Sequence, residues 1–139
     1  MNIRLLCCCL LLPVFVQAQL EEEKYNAAIL KADSQYVKEN YRAAVNLYAA
    51  TFAENNNLGK VRDRFKAACC YSMLQLSDSA FYQLKRIVVN GHYVAYNQFL
   101  NEKKLDFLHA DSRWQPLIDR MKSDEKKILE MINNPGEGN

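Results

Sequence analysis

Two stretches of this chain echo one another at a spacing of 36 residues, and no other feature narrows the possible folds as much. Ala32 and Ala44 return as Ala68 and Ala80, while Ile29, Val45, Tyr48 and Phe52 return as Phe65, Phe81, Leu84 and Val88. A repeat of roughly 20–50 residues marks a stacked array, in which each unit buries its apolar face only against its neighbours. The paired alanines explain how each unit closes. A small residue on one helix, answered by another on the next, lets two antiparallel helices approach closely. A larger side chain there would overpack the contact at a typical cost of about 1–3 kcal/mol.

Helical spacing dominates the rest of the chain, and strand signals are scarce. Tyr25, Ala28, Ile29, Ala32 and Tyr36 predict a helix from Glu21 to about Glu39, with Asn40 breaking the run. Ala44, Val45, Tyr48 and Phe52 predict a second from Tyr41 to about Glu54. Asn55-Asn56-Asn57-Leu58-Gly59 reads as a loop of residues that tolerate left-handed backbone. A third helix is expected over Lys60–Leu76 and a fourth to about Val89, with Ser77 as its N-cap and Asn90-Gly91 as its stop. Beyond Gly91 the echo fades. A short helix over Tyr93–Leu100, a turn over Leu105–Leu108 and a last helix are expected. That helix carries Ser112 and Gln115 at capping-box spacing and a stripe of Trp114, Leu117, Ile118, Met121, Ile128, Leu129 and Ile132.

These residues resemble a tetratricopeptide repeat. Ala68, Tyr71, Ala80, Leu84 and Ile87 sit where that motif carries a small residue, Tyr, Ala, a large residue and a small or apolar residue. The first copy keeps Ala32, Ala44 and Tyr48 but has Gln35 and Thr51 where Tyr and Ala are usual. The family period is about 34 residues, and the Asn-rich loop absorbs the longer spacing. The resemblance implies an all-α, antiparallel helix-pair array, a TPR-like α-solenoid of about two repeats at 24–55 and 60–92. Two pairs leave an apolar face open, so 93–132 is read as a C-terminal helical cap. The family uses the first helix of each pair to line a concave face that binds protein or peptide. By register this brings forward Tyr36, Arg62, Lys66 and Cys69, with the two cations suggesting a basic groove for acidic peptide ends.

The amino terminus reads differently. Met1-Asn2-Ile3-Arg4 is a short positive start, Leu5–Val16 is apolar, and Val16-Gln17-Ala18 offers the small residues that a signal peptidase reads. Residues 1–18 are therefore expected to be a signal peptide cut after Ala18, leaving a domain over 19–132 and a frayed tail over 133–139. The apolar run is short for a bilayer core of ~30 Å, so no membrane span is expected after cleavage. The apolar stretch before Cys7 is also far too short for a lipidation site. Removal of Arg4 leaves 17 basic residues against 16 acidic, a balance that gives no footprint for nucleic acid. Cys7, Cys8 and Cys9 leave too. Cys69 and Cys70 remain, adjacent on a helix where their Cβ atoms point apart, and read as two small buried hydrophobes.

Catalytic signals are thin. His109 with Asp106 and Asp111 is the single His–carboxylate cluster, no ligand spacing for a metal is present, and with four glycines there is no phosphate-cradling loop. The segment Asp106-Phe107-Leu108-His109-Ala110-Asp111-Ser112-Arg113-Trp114 is similar to one found after such repeats in exported proteins of Bacteroidetes-type bacteria. That resemblance implies a periplasmic or secreted setting, with Leu108, His109, Asp111, Arg113 and Trp114 packing the cap. The sequence thus predicts an exported protein–protein interaction module without catalysis, cofactor or metal. An envelope enzyme or accessory domain using His109 and Asp111 is the first alternative, and a self-associating subunit, for example a homodimer, is the second.

Overall fold

A computed structural model describes the backbone of residues 3–133 and the side chains from Val16 onward; most of the expected tail lies outside the described residues. Every regular element among them is helical: α1 (Ile3–Val37), α2 (Tyr41–Glu54), α3 (Val61–Met73), α4 (Ser77–Lys85), α5 (Tyr96–Asn101) and α6 (Trp114–Asn133). A π-helical turn, Arg86–Asn90, extends α4, and a 3₁₀ helix, Lys103–Leu108, precedes α6. The all-α array is as expected, with α1 packed on α2, α2 on α3, and α3 on α4.

The sequence repeat is a repeat of burial. Ala32, Ala44, Ala68 and Ala80 have no exposed surface, and each large residue of both copies lies in the core. The repeat also extends into backbone that side chains do not reveal. At the end of α1, Glu39 adopts φ 58°, its N–H donates to the Tyr36 carbonyl, and the Asn40 N–H donates to that of Gln35. At the end of α3, Gln75 adopts φ 60°, with matching bonds from Gln75 to Ser72 and from Leu76 to Tyr71. Both are Schellman closures, which satisfy the last helical carbonyls through one left-handed residue. Neither uses the glycine that usually marks them. The loops after each pair match as well, with Asn56 at φ 53° and His92 at φ 48°.

Two hydrophobic clusters share the repeats. The first joins Tyr25, Ile29, Ala32, Ala44, Val45, Tyr48 and Phe52 to Ala67 and Cys70. The second joins the inner residues of α3 and α4, including Cys69, to Phe99, Leu105, Leu108, Trp114, Leu117, Ile118 and Met121. The segment after Gly91 therefore closes the open face of the second pair, as a cap must. Cys69 and Cys70 serve different clusters, and burial pushes both thiols up to about 12. At that value the thiolate, the reactive form, is scarce at neutral pH.

Several local expectations need correction. Helix α1 does not start at Glu21 but runs back to Ile3, and every residue from 16 to 24 is exposed, so among the described side chains Tyr25 is the first of the core. Ser77 is not an N-cap: Leu76 holds that position, and Ser77 is already helical. Ser112 and Gln115 do not form a capping box. Asp111 accepts from the Arg113 N–H instead, and Gln115 turns to Asp119. The short helix starts at Tyr96 rather than Tyr93, and the expected turn at Leu105–Leu108 is the end of the 3₁₀ helix. Gly91 does stop its helix, but by closeness rather than freedom. Its φ is −90°, and a Cβ there would lie 2.6 Å from the Ile87 carbonyl oxygen. The α6 stripe is half used: Leu117, Ile118 and Met121 are buried, while Leu129 and Ile132 are exposed.

Candidate functional site

Helix α3 presents Val61, Arg62, Phe65 and Lys66 along one edge, at the one-, three- and four-residue steps that keep them adjacent. Tyr36 from the end of α1 forms one wall of the groove they border, and Tyr93 and Gln98 form the other. The groove encloses about 490 Å³ and its exposed lining is mainly apolar. Three of the four residues expected on the concave face, Tyr36, Arg62 and Lys66, are brought together here. The fourth is not. Cys69 is one turn further along α3 but turns beneath the surface into the cap cluster, with no exposed area.

Hydrogen bonds fix the walls. The Tyr93 hydroxyl donates to Gln98 Oε1, and Tyr93 lies 5.9 Å from the buried Phe99 ring, itself 5.3 Å from Phe65. Burial raises the Tyr36 phenol above its ordinary value, so it remains a neutral donor. Lys66 Nζ lies 2.7 Å from Asp33 Oδ2, while Asp33 Oδ1 accepts from the buried Tyr48 hydroxyl. This places a lysine, a carboxylate and a phenol from α3, α1 and α2 in one linked set. Arg62 Nε donates to Asp63 Oδ1 at 3.2 Å. Both cations of the rim thus have acidic partners within the molecule, which weakens the expected preference for acidic ends. The grip of the groove rests on its aromatic and aliphatic lining, where rigid rings offer contact area at low entropic cost.

A buried polar set beside α3 escaped the sequence reading. Asp63, fully buried, accepts from the Tyr25 hydroxyl at 2.9 Å, and that oxygen in turn accepts from the Lys60 N–H. Arg64, also buried, donates to Gln83 Oε1 and to the Asn57 carbonyl, which Arg86 shares. Arg64 also lies over the Phe52 ring. Adjacent charges in a helix read as a solvated face; here Tyr25 of α1 meets Asp63, and Phe52 of α2, Gln83 of α4 and the α2–α3 loop meet Arg64. Desolvation lowers the Arg64 pKa from its ordinary value, and it holds that loop to the second repeat.

The His109 cluster does not assemble as an acid–base pair. Its ring lies 4.4 Å from that of Trp114, and its Nδ1 is 4.0 Å from Asp106. Asp111 faces Arg113 instead, accepting from its Nε at 2.8 Å, a terminal nitrogen at 2.6 Å and its backbone N–H. Arg113 also reaches Asp78 on α4 at 2.6 Å and lies over Phe81, so the pair clamps the cap to the repeat. These bonds hold the Asp111 carboxyl down at about 2. Because its folded value is depressed, the stabilisation is present above the unfolded value of about 3.9 and is lost as pH falls through 2. Thermal midpoints measured between pH 5 and pH 2 should therefore fall less steeply in Asp111→Asn than in the parent chain. Parallel curves would mean that this clamp contributes nothing to acid sensitivity.

No protein-family model, curated protein or solved structure matches the chain. Among the described residues no three His, Cys, Asp or Glu side chains gather to hold a metal, and no helix is long and apolar enough to cross a membrane.

Proposed function

We propose that the protein is an exported, TPR-like interaction module that holds a peptide or protein segment in the α1–α3–cap groove and performs no chemistry on it. The observation that carries this reading is the groove itself, a preformed surface walled by Tyr36, Phe65 and Tyr93 and braced by the residues beneath it. A preformed receptor surface spares the ordering cost that a flexible one meets on binding. The matched Schellman closures support the TPR-like part of the reading, because they repeat the backbone as well as the side chains. Export is supported by the exposure of residues 16–24, since cleavage after Ala18 would take no described side chain from the core.

The enzyme alternative loses support from the geometry, because both Asp111 oxygens are occupied by Arg113. Self-association keeps one supporting observation, the exposed Leu129, Met131 and Ile132 at the end of α6. The groove is tested by a photo-crosslinking side chain placed at Gln98 in cells, with the same group at Glu130 on α6 as control. A discrete adduct to another protein is expected from position 98 alone, and replacing His109 with Ala should leave it intact. Equal adducts from both positions would sink the groove reading. So would a hydrolytic activity that His109→Ala abolishes while the fold survives. Adducts with a second copy of the chain would instead favour self-association.

A further inference from the structure

Arg62, Arg113 and Arg120 each hold a carboxylate, on Asp63, Asp111 and Asp124. Arg64 and Arg86 do not. Their guanidinium groups meet at one neutral acceptor, the Asn57 carbonyl, 2.5 Å from Arg64 and 2.8 Å from Arg86. Arg64 adds a bond to the neutral Gln83 side chain. Among the described residues no carboxylate forms an ion pair with either group. Arg64 is only 4% exposed. Burying a charge without an opposite one is costly, and a second cation at the same acceptor adds repulsion.

Both arginines line a cavity of about 540 Å³ between α1, the α2–α3 loop, the start of α3 and the π-helical turn. The acids on its α1 side are engaged elsewhere, Glu22 with Lys60 Nζ and Glu21 with Gln17. Asp63, the buried neighbour of Arg64, gives its oxygens to Tyr25 and Arg62. Helix α3 starts here without a side-chain cap, so the positive end of its dipole borders the same space. Gly59 keeps the approach open: a Cβ there would stand 3.2 Å from Arg64 Nε.

We propose that this cavity binds an organic phosphate monoester, its phosphoryl group between Arg64 and Arg86 and its organic part against Leu58, Val61 and Ile87. Two cations without an acid match a phosphate monoester, which carries a charge of about −1.5 to −2 at neutral pH; a carboxylate carries one. Guanidinium forks bond phosphate oxygens in pairs, which suits two such groups converging on one point. The volume falls within the ~300–1,000 Å³ usual for small-molecule sites and leaves room beyond the phosphoryl group. Val61 is the one lining residue shared with the α1–α3–cap groove, so this site stands apart from the segment-binding reading.

Phenyl phosphate is the probe, titrated into the purified protein and followed by backbone amide NMR shifts, with benzoate and benzyl alcohol as comparators. Saturable shifts centred on residues 55–61 and 86–91 are expected with phenyl phosphate. Benzoate should bind about tenfold more weakly or worse, and benzyl alcohol should leave those amides unmoved. Arg86→Gln is the variant of choice, because Arg86 is partly exposed and its one bond is to a loop carbonyl. It should keep the parent's amide spectrum elsewhere and lose about tenfold or more in affinity. Lys85→Gln, which removes the adjacent exposed cation outside the cavity, should bind as the parent does. No shifts at millimolar phenyl phosphate, benzoate binding as tightly, or a folded Arg86→Gln variant with unchanged affinity would each overturn the proposal.

Discussion

Phe99→Ala is expected to destabilise the chain by about 3–5 kcal/mol, the usual range for deleting a buried aromatic ring. Phe99 is the one inward anchor of α5 and has no exposed surface. Its ring meets Phe65 on α3 and Tyr93 on the groove wall, so its loss opens a void where the cap joins the repeat. The groove should suffer with the fold, because Tyr93 loses the surface it packs on. Denaturant titration followed by helical signal measures the first effect, and crosslinking from position 98 in folded protein measures the second. A cost under about 1 kcal/mol would show that the cap collapses around the gap or is not part of the same cooperative unit.

Ala80→Leu should cost about 1–3 kcal/mol through overpacking rather than through a void. Ala80 is fully enclosed where α4 meets α3, alongside the equally buried Ala68. Three added carbon atoms can fit there only if the helices separate, and separation loosens Leu84 and Ile87 behind them. Ala53→Leu, at an exposed position of α2, is the control for the change in residue type. It should be near neutral, since surface substitutions away from special features usually stay within about 0.5 kcal/mol. If both substitutions cost the same, the close approach of α3 and α4 is not what selects alanine at position 80.

The contrast between these two positions shows why some of the structure was legible. Ala80 is written into the sequence by its echo, because a helix crossing allows only small residues and so repeats them. Phe99 carries no such mark. Its one aromatic partner at helical spacing is Tyr96, three residues back and only partly buried, too little to announce a buried face, and its role is set by Phe65, far away in the chain. The groove divides along the same line. Tyr36, Arg62 and Lys66 follow from register on helices whose phase was known. Tyr93 and Gln98 sit after a left-handed His92 that redirects the chain, and no periodicity predicts where such a turn will point it. Cys69 marks the limit of register: one turn beyond Lys66 on α3, it packs into the cap cluster while Lys66 stays at the rim.

By itself the sequence determined that the chain is helical, that two helix pairs repeat, and where alanines hold each pair together. Apolar spacing and close packing act locally, so they leave a local record. The tertiary structure decided what depends on distant segments meeting. It buried Asp63 and Arg64, gave Asp111 to Arg113 rather than to His109, and set Tyr93 opposite Tyr36 to make a groove. Hydrogen bonds and charge pairs form with whatever the fold brings near, and residue order alone does not say what that will be.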